Sequence, residues 1–211
     1  MTMSDSSVAE IDSNLFITVS GPPGCGATTL CKRLADAMDC PYVSGGDIFR
    51  ELADDRDINL NQLTAQADAT DELDRALDAR LQSIAEKWGA SNKPFILESR
   101  LAGWLAGDRA DLRLWLDAPE DVHLDRISDR VETEAEMRVR EVSEAGRYQS
   151  YYDIDVTDRE FYDLHINTAR WSKTGVFTLV RTAIAEYDPD SDEGAFPTPA
   201  VDVEATPPIA Q

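Results

Sequence analysis

The run Gly21-Pro22-Pro23-Gly24-Cys25-Gly26-Ala27-Thr28-Thr29 constrains the fold of this chain more than any other segment. It follows directly on Leu15-Phe16-Ile17-Thr18-Val19-Ser20, a short, apolar, β-branched stretch that reads as a strand. Beyond it, Leu30, Leu34 and Met38 recur every fourth residue, the face of a helix, before Pro41 interrupts the chain. Strand, glycine loop and helix in this order form a phosphate cradle. Glycines let consecutive N–H groups turn inward, and the helix N-terminus adds the positive end of its dipole. The glycines and the hydroxyl match the Walker A pattern, with Ala27 where that pattern has lysine. One mobile point charge is lost, and the backbone elements remain. Thr28 stands where the pattern places a hydroxyl on Mg²⁺, and Thr29 offers a further donor to the α-phosphate. The strand, the glycine spacing and the threonine pair argue against a turn that binds nothing. Cys25 reads as a small filler giving its backbone N–H, the alternative being a low-pKa thiol open to oxidation near a helix N-terminus.

The rest of the chain repeats the alternation. Strands are expected at Tyr42-Val43-Ser44, Pro94–Leu97, Leu112–Leu116 and around Leu164-His165-Ile166. Helical stretches fall between them, over Asp47–Trp88, Glu120–Tyr152 and Val176–Ala185. This predicts an α/β fold with a parallel sheet covered on both faces. One domain fits the length of 211 residues. Residues 1–13 and everything from Asp188 onward carry almost no apolar pattern and are expected to lack order.

Charge restricts the partners. The chain has 41 acidic against 20 basic residues, a net charge of -21, and its cations are mostly arginine. Nucleic acid would be repelled. A salt-adapted surface and an ordinary solubilising one both fit the scattered acids. In either case the global field opposes anionic substrates, so phosphates must be held by backbone dipoles and clustered arginines. No apolar run is long enough for a membrane span, and the first residues are polar. Cys25, Cys31 and Cys40 have no metal-ligand or disulfide pattern, which fits a reducing cytoplasm.

Further segments carry a family likeness. They are Ser44-Gly45-Gly46-Asp47-Ile48-Phe49-Arg50, Leu97-Glu98-Ser99-Arg100-Leu101-Ala102-Gly103-Trp104, Trp115-Leu116-Asp117-Ala118-Pro119, Arg126-Ile127-Ser128-Asp129-Arg130, Arg147-Tyr148 with Tyr151-Tyr152, and Tyr162-Asp163-Leu164 with Ile166-Asn167-Thr168. Together with the loop they resemble the nucleoside monophosphate kinases, most closely the archaeal type of cytidylate kinase, over roughly residues 15–187. The L-E-S-R-L-A-G-W run is the most diagnostic, because adenylate kinases show an acidic residue followed by glycine, an aromatic, proline and arginine.

The resemblance implies a P-loop three-layer fold with a helical acceptor-binding insertion, about 47–88, and a mobile lid, about 130–147. Residues 21–29 and Asn167 would hold ATP. Ser44, Asp47, Arg50, Glu98 and Arg100 would serve the acceptor, Arg50 and Arg100 gripping its phosphate. Thr28, and Glu98 through water, would serve Mg²⁺. Arg126, Arg130, Arg138, Arg140 and Arg147 are the lid-side candidates, with Arg130, Arg140 and Arg147 favoured beside Thr28 as catalytic. Without the family, Asp47 and Arg50 would read as a capping residue and a surface ion pair one turn apart. His123 and His165 read as structural. Asp68, Asp71, Asp74 and Arg75 are candidates for contact with the base.

The implied reaction is ATP plus CMP or dCMP giving ADP and the diphosphate, in a cytoplasmic monomer. The acceptor phosphate is already an anionic nucleophile, so positioning and charge neutralisation suffice without a general base. In this archaeal group the loop lysine is replaceable, usually by threonine, and alanine extends that departure. A nucleotide-binding protein without transferase activity stays open because of Ala27, as do UMP and a non-nucleotide alcohol as acceptors.

Overall fold

The computed structural model describes residues 10–69, 72–127, 134–191, 201 and 203. Five strands, β1 (Phe16–Ser20), β2 (Tyr42–Ser44), β3 (Phe95–Glu98), β4 (Leu112–Asp117) and β5 (Leu164–Asn167), form one sheet in the order β2-β3-β1-β4-β5. Every pairing is parallel. β1 is buried at each position, as a central strand covered on both faces must be, and this explains its unbroken apolar sequence.

Two apolar layers sandwich the sheet. On one face α1 (Ala27–Met38) and α8 (Lys173–Glu186) pack on Ile17, Val19, Ile96, Leu114 and Ile166. Leu30, Leu34 and Met38 are the buried stripe of α1, as their spacing predicts. On the other face Phe16, Phe95, Leu97 and Trp115 meet α5 (Ala102–Ala106) and the end of α4 (Glu72–Gly89). Trp88 stacks on Phe95 with ring centroids 4.6 Å apart.

The polar stretch expected as one helical region divides into α2 (Gly45–Asp55), α3 (Leu60–Ala69) and α4. Asp57, at φ 53°, breaks it after α2. Past β4 come α6 (Glu120–Ile127) and α7 (Glu134–Tyr152). Two segments expected to lack order reach into the core. Ile11 is buried, and its N–H donates to the Ala37 carbonyl at 2.8 Å. Val201 is buried and Val203 partly so against the second layer, and Gln82 Nε2 donates to the Val201 carbonyl at 3.1 Å. Isolated valines suffice there because the sheet supplies a ready apolar surface, which composition averaged over a polar tail hides.

Candidate active site

The site lies at the C-terminal edge of the sheet, where β1 turns into α1. Gly21 leaves β1 with no room for a side chain, since a Cβ there would stand 2.3 Å from the Leu116 carbonyl oxygen. Gly26 is the N-cap of α1 at φ 95°, a left-handed conformation in which a side chain would be strained, and no side-chain cap covers it. The first-turn N–H groups of α1, from Ala27 to Thr29, therefore face outward beside the loop, a ready anion cradle.

Pro22, Pro23 and Gly24 form the arch of the loop, closed by a Cys25 N–H bond to the Pro22 carbonyl at 3.1 Å. Ala27 is buried in the first layer. Cys25 is buried as well, and burial pushes its thiol up to about 12. Burial and the raised pKa both run against the reactive-thiol alternative, which needs an exposed, easily ionised thiol.

Opposite the loop stands Glu98, the last residue of β3. Thr28 Oγ1 donates to Glu98 Oε1 at 2.8 Å, and the Tyr42 hydroxyl donates to Glu98 Oε2. Parallel register places Ser44 beside Glu98. Ser44 rather than Asp47 caps α2, accepting the Asp47 N–H at 3.4 Å, and Asp47 lies inside the first turn, bonded to Arg50. Both Asp47 and Arg50 are about half exposed. The α2 start approaches β3 closely, for a Cβ on Gly45 would lie 2.9 Å from that of Ser99.

Arg100 follows β3. Its side chain is 17% exposed, and Nη1 lies 3.9 Å from Glu141 Oε1, beyond hydrogen-bond reach. Nε and Nη1 have no hydrogen-bond partner among the described residues. Buried cationic donors of this kind are costly unless an anion meets them.

On the far side, Arg126 of α6, one of the lid-side candidates, is bonded to the phosphate loop and to the turn after β5. Its Nη1 donates to the Gly24 carbonyl at 3.2 Å and to Thr168 Oγ1 at 2.8 Å, while Nη2 donates to the Thr168 carbonyl at 3.1 Å. Thr168 Oγ1 in turn donates to the Cys25 carbonyl at 2.8 Å. The turn after β5 is thereby latched to the phosphate loop. Asn167 accepts the Ala169 N–H, and beside it a cleft opens between Asp117-Ala118-Pro119 and His165-Ile166-Asn167. His123 is buried with Nε2 3.7 Å from Asp117 Oδ1, and burial lowers the pKa of both histidines, in keeping with structural roles.

Of the arginines expected on the lid side, Arg147 has partners among the described residues. Arg147 donates through Nε to Asp74 and through Nη1 to Ser143 Oγ at 2.6 Å. Arg138 and Arg140 lie on α7, and Arg130 lies outside the described residues. Among the base-contact candidates Asp74 is taken up by Arg147, Arg75 lies over the Tyr151 ring at 4.8 Å, Asp68 falls on α3, and Asp71 lies outside the described residues. Sequence reasoning missed Tyr42 and the latching role of Thr168, because neither belongs to a charge or glycine pattern. Among the described residues no cluster of histidine, cysteine or acidic side chains could hold a metal by itself, and no helix is long and apolar enough to cross a membrane.

Comparison with known proteins decides the family. A family model described as an AAA domain matches residues 17–149. The cytidylate kinase of Haloquadratum walsbyi is 52% identical over 188 residues, covering 87% of this chain and 96% of its own. The cytidylate kinase of Pyrococcus furiosus is 40% identical, covering 86% and 94%. The chain belongs to the archaeal cytidylate kinases. Beyond that family the fold is shared more widely. A shikimate kinase from Bacteroides thetaiotaomicron matches at TM-score 0.53 and 14% identity over 81% of this chain and 98% of its own. A gluconokinase from Sinorhizobium meliloti matches at TM-score 0.54 and 14% identity, over 82% and 93%. Both likenesses concern the P-loop kinase fold alone.

Proposed function

We propose that this cytidylate kinase family member transfers the γ-phosphate of ATP to CMP, with dCMP as a further acceptor. The observation that carries this reading is Arg100, a nearly buried guanidinium whose Nε and Nη1 lack acceptors, next to a strand end that faces the phosphate loop. A planar cation with paired donors suits a phosphate monoester as a bidentate partner. Arg50, one turn into α2, is free to exchange Asp47 for the same phosphate, since that ion pair is half exposed and weakly held.

ATP would lie with its phosphates on the first turn of α1 and its adenine toward the cleft at Asn167. The hydroxyl of Thr28 and the carboxylate of Glu98 are hard oxygen donors, the set that Mg²⁺ prefers, usually with water between. When bound with ATP, Mg²⁺ neutralises charge on the β- and γ-phosphates. Arg100 and Arg50 hold the acceptor phosphate, whose anionic oxygen attacks the γ-phosphorus in line. The bond from that phosphorus to the β,γ-bridging oxygen breaks, and ADP leaves with the electron pair. No proton must be removed. Arg130, Arg140 and Arg147 are the lid cations that would meet the transferring group, Arg147 by releasing Asp74.

The second reading, nucleotide binding without transfer, rests on Ala27. Steady-state ADP production with CMP, dCMP and UMP separates the two, together with Arg100→Ala. The variant is expected to lose CMP use by a factor of about 10² or more while keeping ATP affinity within about twofold. Loss of ATP binding instead would move Arg100 to the donor side. A wild type that binds ATP and turns over no monophosphate would leave the second reading.

A further inference from the structure

Tyr42 opens β2, and no pattern in the sequence marks it. Its register partner on β3 is Ile96, and Ser44 pairs with Glu98, so Tyr42 sits two residues below Glu98 and on the same face of the sheet. From there the phenol reaches up under α1. Its hydroxyl donates to Glu98 Oε2, while Thr28 Oγ1 donates to Oε1 at 2.8 Å. Each oxygen of the carboxylate thus has its own hydroxyl donor, one from α1 and one from β2.

A glutamate at a strand end, where the sheet opens to solvent, has three torsions to lose before it points in one direction. A donor fixed on one oxygen removes much of that freedom in advance, and a bond to a charged acceptor is stronger than one between neutral groups. We propose that Tyr42 is a positioning residue: it fixes the Glu98 carboxylate through Oε2, so that Oε1 is presented to Thr28 and the phosphate loop. The inference rests on the reading of Thr28 and Glu98 as the metal-side pair. It assigns the preparation of that pair to a residue of β2, an element otherwise concerned with the acceptor.

The test compares wild type with Tyr42→Phe, Glu98→Gln and the double variant. Mn²⁺ is the probe, titrated by the paramagnetic resonance signal of the free ion against enzyme saturated with a non-hydrolysable ATP analogue. Affinity for the analogue without metal and thermal melting are recorded alongside. Tyr42→Phe is expected to weaken Mn²⁺ binding about tenfold, as loss of a hydrogen bond to a charged group would. Metal-free analogue affinity should stay unchanged, and kcat should fall by a similar factor at constant KM for CMP. In the double variant Mn²⁺ affinity should be no lower than in Glu98→Gln alone, because Tyr42 acts through Glu98. The proposal is overturned if Tyr42→Phe keeps wild-type Mn²⁺ affinity while Glu98→Gln lowers it, or if the two effects multiply. Loss of metal-free analogue affinity in Tyr42→Phe would also overturn it, as a general distortion of the loop. A Glu98→Gln variant with wild-type Mn²⁺ affinity would instead sink the metal-side reading itself.

Discussion

Ala27 carries the sharpest question about single residues, because the loop keeps every backbone feature of a phosphate cradle and lacks the lysine. Its methyl group is buried in the first apolar layer, so the position has become part of the core. Arg126 stands close by, its guanidinium shared between the Gly24 carbonyl and Thr168. If lid cations and Mg²⁺ neutralise the β- and γ-phosphates without a lysine, Ala27→Lys should change kcat less than about tenfold. An uncompensated loss would show differently. Removing an electrostatic donor at a transition state typically costs about 2.7 to 4 kcal/mol, so restoring it would raise activity by orders of magnitude. ADP production by both forms at saturating Mg²⁺-ATP distinguishes these outcomes.

At the scale of elements, α4 and α7 meet along a seam that would join the expected acceptor insertion to the expected lid. Asp74 pairs with Arg147, Asp78 accepts from the Tyr152 hydroxyl at 3.0 Å, and Arg75 covers Tyr151. Asp78 is buried there, and burial is the main cause that lifts its carboxyl from 3.8 to about 7, with Asp74 and Glu144 adding to the rise. Tyr152 and Arg147 oppose it. A carboxyl that holds its proton longer in the folded chain stabilises fully below about pH 4, and that contribution is lost as pH rises to about 7. Asp78→Asn keeps an acceptor for Tyr152 and has no proton to lose. It should therefore melt higher than wild type at pH 8, by an amount worth a few kcal/mol, and the advantage should shrink as pH falls to 5. An equal difference at both pH values would count against a titrating Asp78. The family likeness implied an insertion and a lid from their motifs. Nothing in either segment signalled that the two would meet through buried aspartates, since on a helix this rich in charge Asp74 and Asp78 look like any solvated acid.

For the whole molecule, a net charge of -21 sets the response to salt. Self-repulsion between unpaired surface acids weakens the compact state and is screened as ionic strength rises, with a Debye length of about 10 Å at 0.1 M and about 3 Å at 1 M. The melting temperature should rise when KCl is taken from 0.1 to 1 M, and the KM values for both anionic substrates should not worsen. A melting temperature that falls over that range would rule out repulsion as the controlling effect. Truncation after Ser191 tests the tail. Burying one valine fully is worth about 1.5 to 3 kcal/mol, part of which ordering entropy takes back. Removal of Val201 and Val203 should then lower the melting temperature by a few degrees without changing KM for ATP. An unchanged melting curve would mean that the two valines add nothing net.

The sequence by itself determined the parallel α/β sheet, the phosphate loop, the strand positions to within a residue or two, and the family. These are local properties: apolar runs, glycine spacing and motif order act within a few residues of chain. It also brought Thr28 and Glu98 to the same site, through the family motif. Only the tertiary structure decided the rest. Tyr42 meets Glu98 because parallel register aligns β2 with β3. Arg126 reaches the phosphate loop because α6 starts at the end of β4, the strand beside β1. Asp78 becomes a perturbed acid because α7 folds over it. In each case the deciding contact spans 50 residues or more of chain. Short-range patterning does not encode such contacts, and packing imposes them.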